Sequence, residues 1–80
     1  MSAPSRAKRF DEARAKVEEA HGIFEELQSE LQEWRDGIPE NLQSGSKAEA
    51  LDEAISNLDS IISSCDEIEG TDVEFPGMFG

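Results

Sequence analysis

The chain has 80 residues, with 19 acidic against 7 basic ones and a formal net charge of −12. So short a chain forms one domain, and so negative a surface disfavours binding to nucleic acid or to an anionic membrane. The single cysteine, Cys65, excludes an internal disulfide and a cysteine-based zinc site. The first residues lack the apolar stretch of a signal peptide and no segment is apolar enough to span a membrane, so we expect a cytoplasmic protein.

A first helix is predicted from about residue 5 to about residue 36. Apolar residues recur there in alternating steps of three and four, which predicts one apolar seam facing a partner helix. These residues are Phe10, Ala13, Val17, Ala20, Phe24, Leu27, Leu31 and Trp34. Gly37 then favours a left-handed cap, and Pro39 prevents the helix from continuing.

A second helix is predicted from about residue 46 to about residue 69. Ser46 and Glu49 have the spacing of a reciprocal capping box, and Gly70 follows the last helical residue. The apolar residues of this helix form a stripe wider than one partner helix can cover, namely Leu51, Ala54, Ile55, Leu58, Ile61, Ile62, Cys65 and Ile68.

These elements predict an all-α fold in a single domain, residues 1–80. The connection at residues 37–45 is short, so the helices should form an antiparallel two-helix hairpin of the coiled-coil type. The wide stripe on the second helix predicts a homo-oligomer, with a symmetric dimer forming a four-helix bundle as the favoured form.

Residues 70–80 form an apolar tail that is too short and too rich in Gly and Pro for another regular element. Phe75, Met78 and Phe79 are large apolar side chains within it. Two interpretations remain open, since the tail could fold back against Phe10 and Ile68 or dock into a partner or a neighbouring subunit.

Five of the seven basic residues fall within residues 1–16. The simpler interpretation is that they neutralise the acidic end of the second helix through exposed ion pairs. The alternative is an anion-binding site made by Arg6, Lys8, Arg9 and Arg14.

The residues offer little for catalysis. Glu18 precedes His21 by the spacing that diiron bundles use, but Glu18 lies outside the predicted seam, so we expect no metal site and a solvated His21. Cys65 lies on the apolar stripe, where a thiol is buried and inert. No glycine-rich phosphate loop is present. We therefore expect no catalytic residue, no cofactor and no enzymatic activity.

The acidic residues in the middle of the first helix form the strongest candidate binding surface. Glu25, Glu26, Glu30 and Glu33 have no basic residue near them in sequence, because none occurs between Lys16 and Arg35. Carboxylates one helical turn apart could imitate the phosphates of a nucleic acid, although charge runs are more often simply solvated.

The turn Glu33-Trp34-Arg35-Asp36-Gly37-Ile38-Pro39-Glu40-Asn41-Leu42-Gln43, together with the tail Phe75-Pro76-Gly77-Met78-Phe79-Gly80, resembles small acidic helical proteins of bacteriophages. The resemblance implies an inhibitor or adaptor that engages a host protein in the host cytoplasm through its acidic helical face, as in counter-defence. The alternatives are an oligomer that sequesters a nucleotide-like signal molecule and a structural coiled-coil component.

Overall fold

The structure is a computed structural model that describes residues 5–76. Over this range the chain forms helix α1, Arg6–Asp36, a short 3₁₀ helix, Glu40–Leu42, and helix α2, Ser46–Glu69, with no strand. The two helices pack against each other as a hairpin that measures 67 × 22 × 15 Å. The predicted all-α hairpin is therefore confirmed. Neither helix in residues 5–76 is both long and apolar enough to cross a membrane.

Helix α1 is capped differently at its two ends. At the start, the Ser5 hydroxyl accepts a hydrogen bond from the backbone N–H of Lys8 at 3.1 Å. At the end, the N–H of Gly37 donates to the carbonyl of Glu33 at 3.0 Å, and Gly37 has a right-handed φ of −82°. The predicted left-handed cap is wrong, because the chain changes direction only at Pro39, which has an extended ψ of 146°.

Helix α2 begins without a side-chain cap. Ser46 is its first helical residue, so the cap position falls on Gly45, which has no side chain to accept a hydrogen bond. The Glu49 N–H donates to the Gly45 carbonyl at 3.1 Å as part of the helical ladder. The capping box predicted for Ser46 and Glu49 is therefore not formed.

The seam of α1, meaning the line of residues that packs on α2, differs from the predicted one. Nine residues of α1 are less exposed than the rest. Ala20 is one of them, and the other eight step by four and three and are Phe10, Arg14, Val17, His21, Phe24, Gln28, Leu31 and Arg35. In heptad notation the apolar members of this line occupy d positions and the polar members, Arg14, His21, Gln28 and Arg35, occupy a positions. Half of the predicted seam is thus correct. Its other members occupy the flanking g positions, where Leu27 is 43% and Trp34 52% exposed.

The seam of α2 is more apolar. It consists of Ala48, Leu51, Ile55, Leu58, Ile62, Cys65 and Glu69, and Ala48, Leu51 and Cys65 are buried, as predicted for Cys65. Ile61 and Ile68 also belong to the predicted wide stripe, but they lie on one side of this seam and remain exposed. The hairpin therefore has a thin core and uses only one half of the stripe on α2.

The tail folds back along its own chain as far as it is described. The ring of Phe75 packs edge-on against the ring of Phe10, with 5.7 Å between the centroids. Beside this contact lies a cavity of about 300 Å³ lined by Phe10, Glu67, Ile68, Thr71 and Val73. Met78 and Phe79, which were also assigned to tail docking, lie outside the described residues.

We predict that Phe24→Asp and Leu58→Asp each destabilise the fold by about 2–4 kcal/mol, because each places an unpaired charge in the seam. Loss of helical circular dichroism and a lower urea midpoint measure this. Ser56→Asp adds a negative charge at an exposed position two residues from Leu58 and is the matched control. Unchanged unfolding of both seam variants would contradict the observed seam.

Candidate functional site

Four polar residues enter the seam of α1 at intervals of seven, and we call them the polar ladder: Arg14, His21, Gln28 and Arg35. Arg35 Nε donates to Asp52 at 2.8 Å. Gln28 donates to the backbone carbonyl of Ile55 at 3.2 Å. Each member therefore meets a hydrogen-bond acceptor from α2 or from the residues after it, which offsets the cost of removing a polar group from water.

Arg14 joins α1 to the tail. Its guanidinium donates to the carbonyl of Thr71 and, at 3.1 Å, to the carboxylate of Asp72. The same guanidinium lies 4.8 Å from the centroid of the Phe10 ring. Arg14 thus orders the segment that brings Phe75 back to Phe10.

His21 has the densest group of charged neighbours in the described chain. Its Nδ1 is hydrogen-bonded to a carboxylate oxygen of Glu69, and its Nε2 lies 3.7 Å from both Glu25 and Asp66. The side chain is only 14% exposed, so the predicted solvated position is wrong. By spacing His21 pairs with Glu18, whereas the carboxylates near it in the structure are Glu25, one turn later on α1, and Asp66 and Glu69 of α2.

These neighbours stabilise the charged form of the imidazole. The hydrogen bond to Glu69 is the largest cause that raises the pKa of His21 above its ordinary value of 6.5, and the charges of Glu69, Glu25 and Asp66 add to it. Desolvation acts in the opposite direction and is outweighed. The surroundings of His21 therefore favour a positively charged imidazole between two acidic helices.

The same group is the arrangement best suited to hold a metal ion in residues 5–76. His21, Asp66 and Glu69 each offer one donor atom within 4.8 Å of the others. A protonated His21 ring places positive charge beside the carboxylates of Asp66 and Glu69, as a bound cation would. The geometry alone therefore requires no metal ion.

The four residues of the candidate anion site fall into two groups. Arg6, Lys8 and Arg9 are exposed at the start of α1, where Arg6 and Arg9 share one face of the helix and Lys8 lies on another. Arg14 lies in the seam and is engaged by Thr71 and Asp72. The structure therefore separates Arg14, which is engaged by the tail, from Arg6, Lys8 and Arg9, which stay exposed at the start of α1.

The predicted acidic face divides into three parts. Glu26 and Glu33 lie on the outward line of α1, while Glu25 flanks the seam beside His21. Glu30 lies on the opposite flank. All four residues are exposed, and within the described residues no ion pair involves Glu26, Glu30 or Glu33.

Acidic residues of both helices extend this surface. On α1 the outward and seam-flanking positions carry adjacent carboxylates in successive heptads, and α2 adds aspartates on the same flank of the seam. We call this surface the acidic edge and define it as Glu18, Glu19, Glu25, Glu26, Glu33, Asp59 and Asp66.

The opposite flank is apolar, and we define this apolar edge as Ile23, Leu27, Trp34, Ile61 and Ile68. All five side chains are more than 40% exposed. Lys47 of α2 places its Nζ 5.4 Å from the ring centroid of Trp34, which shows that this flank of α1 and that of α2 lie on the same side of the hairpin. The two edges are therefore separated by the seam.

A repeat in the sequence could have revealed this organisation. Residues 10–37 divide into four heptads, FDEARAK, VEEAHGI, FEELQSE and LQEWRDG. Each begins with a large apolar residue, has glutamate third and a polar residue fifth. The fifth positions are the polar ladder, and the glutamates form the outward line of α1.

Comparisons with protein-family models, with curated proteins and with solved structures find no match to this chain.

We predict that the pH dependence of stability depends on His21. Because its pKa is raised in the folded state, its contribution is complete below pH 6.5 and is lost as the pH rises through the folded pKa. The melting temperature should therefore fall between pH 6 and pH 8, and less so in His21→Gln.

His21→Arg is the matched control, because it keeps a positive charge that does not titrate in this range. Its melting temperature should be nearly constant from pH 6 to pH 8. A parent and a His21→Gln variant with the same pH dependence would contradict the role given to this imidazole.

Proposed function

We propose that this chain is a non-enzymatic acidic binding protein, an inhibitor or adaptor of the bacteriophage type, whose acidic edge engages a basic surface of a host protein. The observation that carries the proposal is the outward line of α1. Glu26 and Glu33 are exposed there and take part in no ion pair within residues 5–76.

The energetics of the helix support a binding role. Like charges one turn apart cost an isolated helix about 0.2–0.5 kcal/mol per pair, so Glu26 and its acidic neighbours are slightly unfavourable for folding. The chain has cations, but the ladder arginines engage Asp52 and Asp72 rather than the outward line. The uncompensated field would speed association with a basic partner, including one that binds nucleic acid.

The absence of enzymatic activity is part of the same proposal. Cys65 is buried in the seam of α2, where a thiol is inaccessible to a substrate. The imidazole of His21 is engaged by the carboxylate of Glu69. The alternative of a nucleotide-sequestering protein has less support, because Arg14 is occupied by the tail.

We also propose that the chain works as a homo-oligomer, with a dimer as the expected form. Among residues 5–76 only Ala48, Leu51 and Cys65 are buried apolar residues, and two of these are small or polarisable. A hairpin with so thin a core gains much from a further layer of helices.

The function can be tested by reversing charge on the acidic edge. We predict that Glu26→Lys with Glu33→Lys reduces binding of host proteins, mainly by slowing association, and that added salt has the same effect on the parent. Immobilised parent and variant are incubated with bacterial lysate, and bound proteins are identified by mass spectrometry. Association rates are then measured with each purified binding protein.

Glu53→Lys with Glu67→Lys is the matched control, because it changes the same charge at exposed positions of α2 outside the acidic edge. It should leave binding nearly unchanged. Duplex DNA added as a competitor shows whether the partner uses a nucleic-acid site. Equal binding and equal salt dependence of the acidic-edge variant and the parent would refute the proposal.

A further inference from the structure

The apolar edge is the largest feature that the acidic binding surface leaves unused. Leu27 and Trp34 of α1 and Ile61 and Ile68 of α2 are exposed and lie as an apolar strip along one side of the hairpin. Soluble monomers rarely leave so long an apolar strip open to water. The strip therefore needs an occupant.

The distribution of charge favours a second copy of this chain as the occupant. Of all acidic residues in the two helices, only Glu30 lies on this flank, whereas Lys16 and Lys47 both lie there. The remaining surfaces of a protein with a net charge of −12 would repel a second copy. The apolar edge is the side on which two copies can approach with the least repulsion.

The sequence of α1 along this flank is complementary to itself when reversed. If two α1 helices lie antiparallel about an axis beside Ile23, the small Ala13 meets the large Trp34 of the other copy, and Ala20 meets its Leu27. The same axis places Lys16 opposite Glu30 of the other copy. Size and charge are thus both matched by one twofold arrangement.

The area is sufficient for a stable dimer. The strip runs from Ala13 to Trp34, about 32 Å at 1.5 Å per residue, and the hairpin is 22 Å across in its second dimension. A contact of this size covers roughly 650 Å² on each copy, or about 1,300 Å² in total, within the range of specific interfaces.

We propose that two copies of this chain pack through their apolar edges as an antiparallel dimer, with Lys16 of each copy beside Glu30 of the other. This inference rests on the self-association proposed above and is independent of the acidic edge. It gives a four-helix bundle in which both acidic edges remain exposed.

The mass in solution is the first test. Sedimentation of the parent at micromolar concentration should give about twice the 8.8 kDa of one chain. Leu27→Glu with Ile61→Glu should shift the protein to the monomer mass, while Ser29→Glu with Ser60→Glu adds the same charge to exposed positions elsewhere and should stay dimeric. A monomeric parent, or a dimeric Leu27 and Ile61 variant, overturns the proposal.

A second test uses substitutions that spare the apolar residues, in case loss of the dimer also unfolds the hairpin. Lys16→Glu and Glu30→Lys should each raise the dimer dissociation constant, by about three- to tenfold, because each places like charges together twice per dimer. The double variant should restore the parent value. Single variants without effect, or a double variant that is weaker than either single one, overturn the antiparallel pairing.

The two proposals fail separately. Reversal of Glu26 and Glu33 should leave the dimer mass unchanged, because both residues lie away from the apolar edge. Loss of partner binding in a variant that is still a dimer therefore concerns the acidic edge alone, and a monomeric parent that still binds its partner concerns the dimer alone.

Discussion

The seam of α1 is only half apolar, and the rest of the molecule follows from this constraint. Every second seam position of α1 is polar, and each of these residues reaches an acceptor on α2 or just beyond it. Such contacts give each ladder residue a hydrogen-bond partner, although the buried Nε of Arg14 has none, and they add little net stability. The pairing of α1 with α2 is therefore specific, but the apolar core between them is small.

The side chains around the seam divide the surface of the hairpin into an apolar flank and an acidic flank. Large apolar residues of α1 that a fully apolar seam would have buried lie instead on one flank of the hairpin, where Trp34 is 52% exposed. Carboxylates occupy the other flank and the outward line of α1. His21 links the seam to the acidic flank, since its imidazole is held by Glu69 in the seam and faces Glu25 and Asp66 on that flank. One helix pair thus presents an apolar side and an acidic side.

The helices and their antiparallel pairing could be predicted from the sequence, because heptad spacing and helix-stopping residues are local signals. The rotation of α1 about its own axis, which decides which of its residues face α2, could not be predicted. Two heptad lines share Phe10, Val17, Phe24 and Leu31, and the line with more apolar residues is the natural choice. The actual line depends on acceptors as distant as Asp72, which lies 58 residues from Arg14. The position of His21 escaped prediction for the same reason, since its closest partner is Glu69.

The seven-residue repeat also leaves the sliding of one helix along the other weakly resisted. Asp52, Asp59 and Asp66 follow one another at the spacing of the polar ladder, and Gln28 donates to a main-chain carbonyl, which any residue could supply. A slide of one heptad, about 10.5 Å, would put acids again near Arg35 and other members of the ladder. The connection from Gly37 to Gly45 favours the observed alignment, because its 3₁₀ helix and the hydrogen bonds within it would have to break before it could extend by that distance. The folded loop thus selects one alignment among several that the contacts between the helices would nearly tolerate.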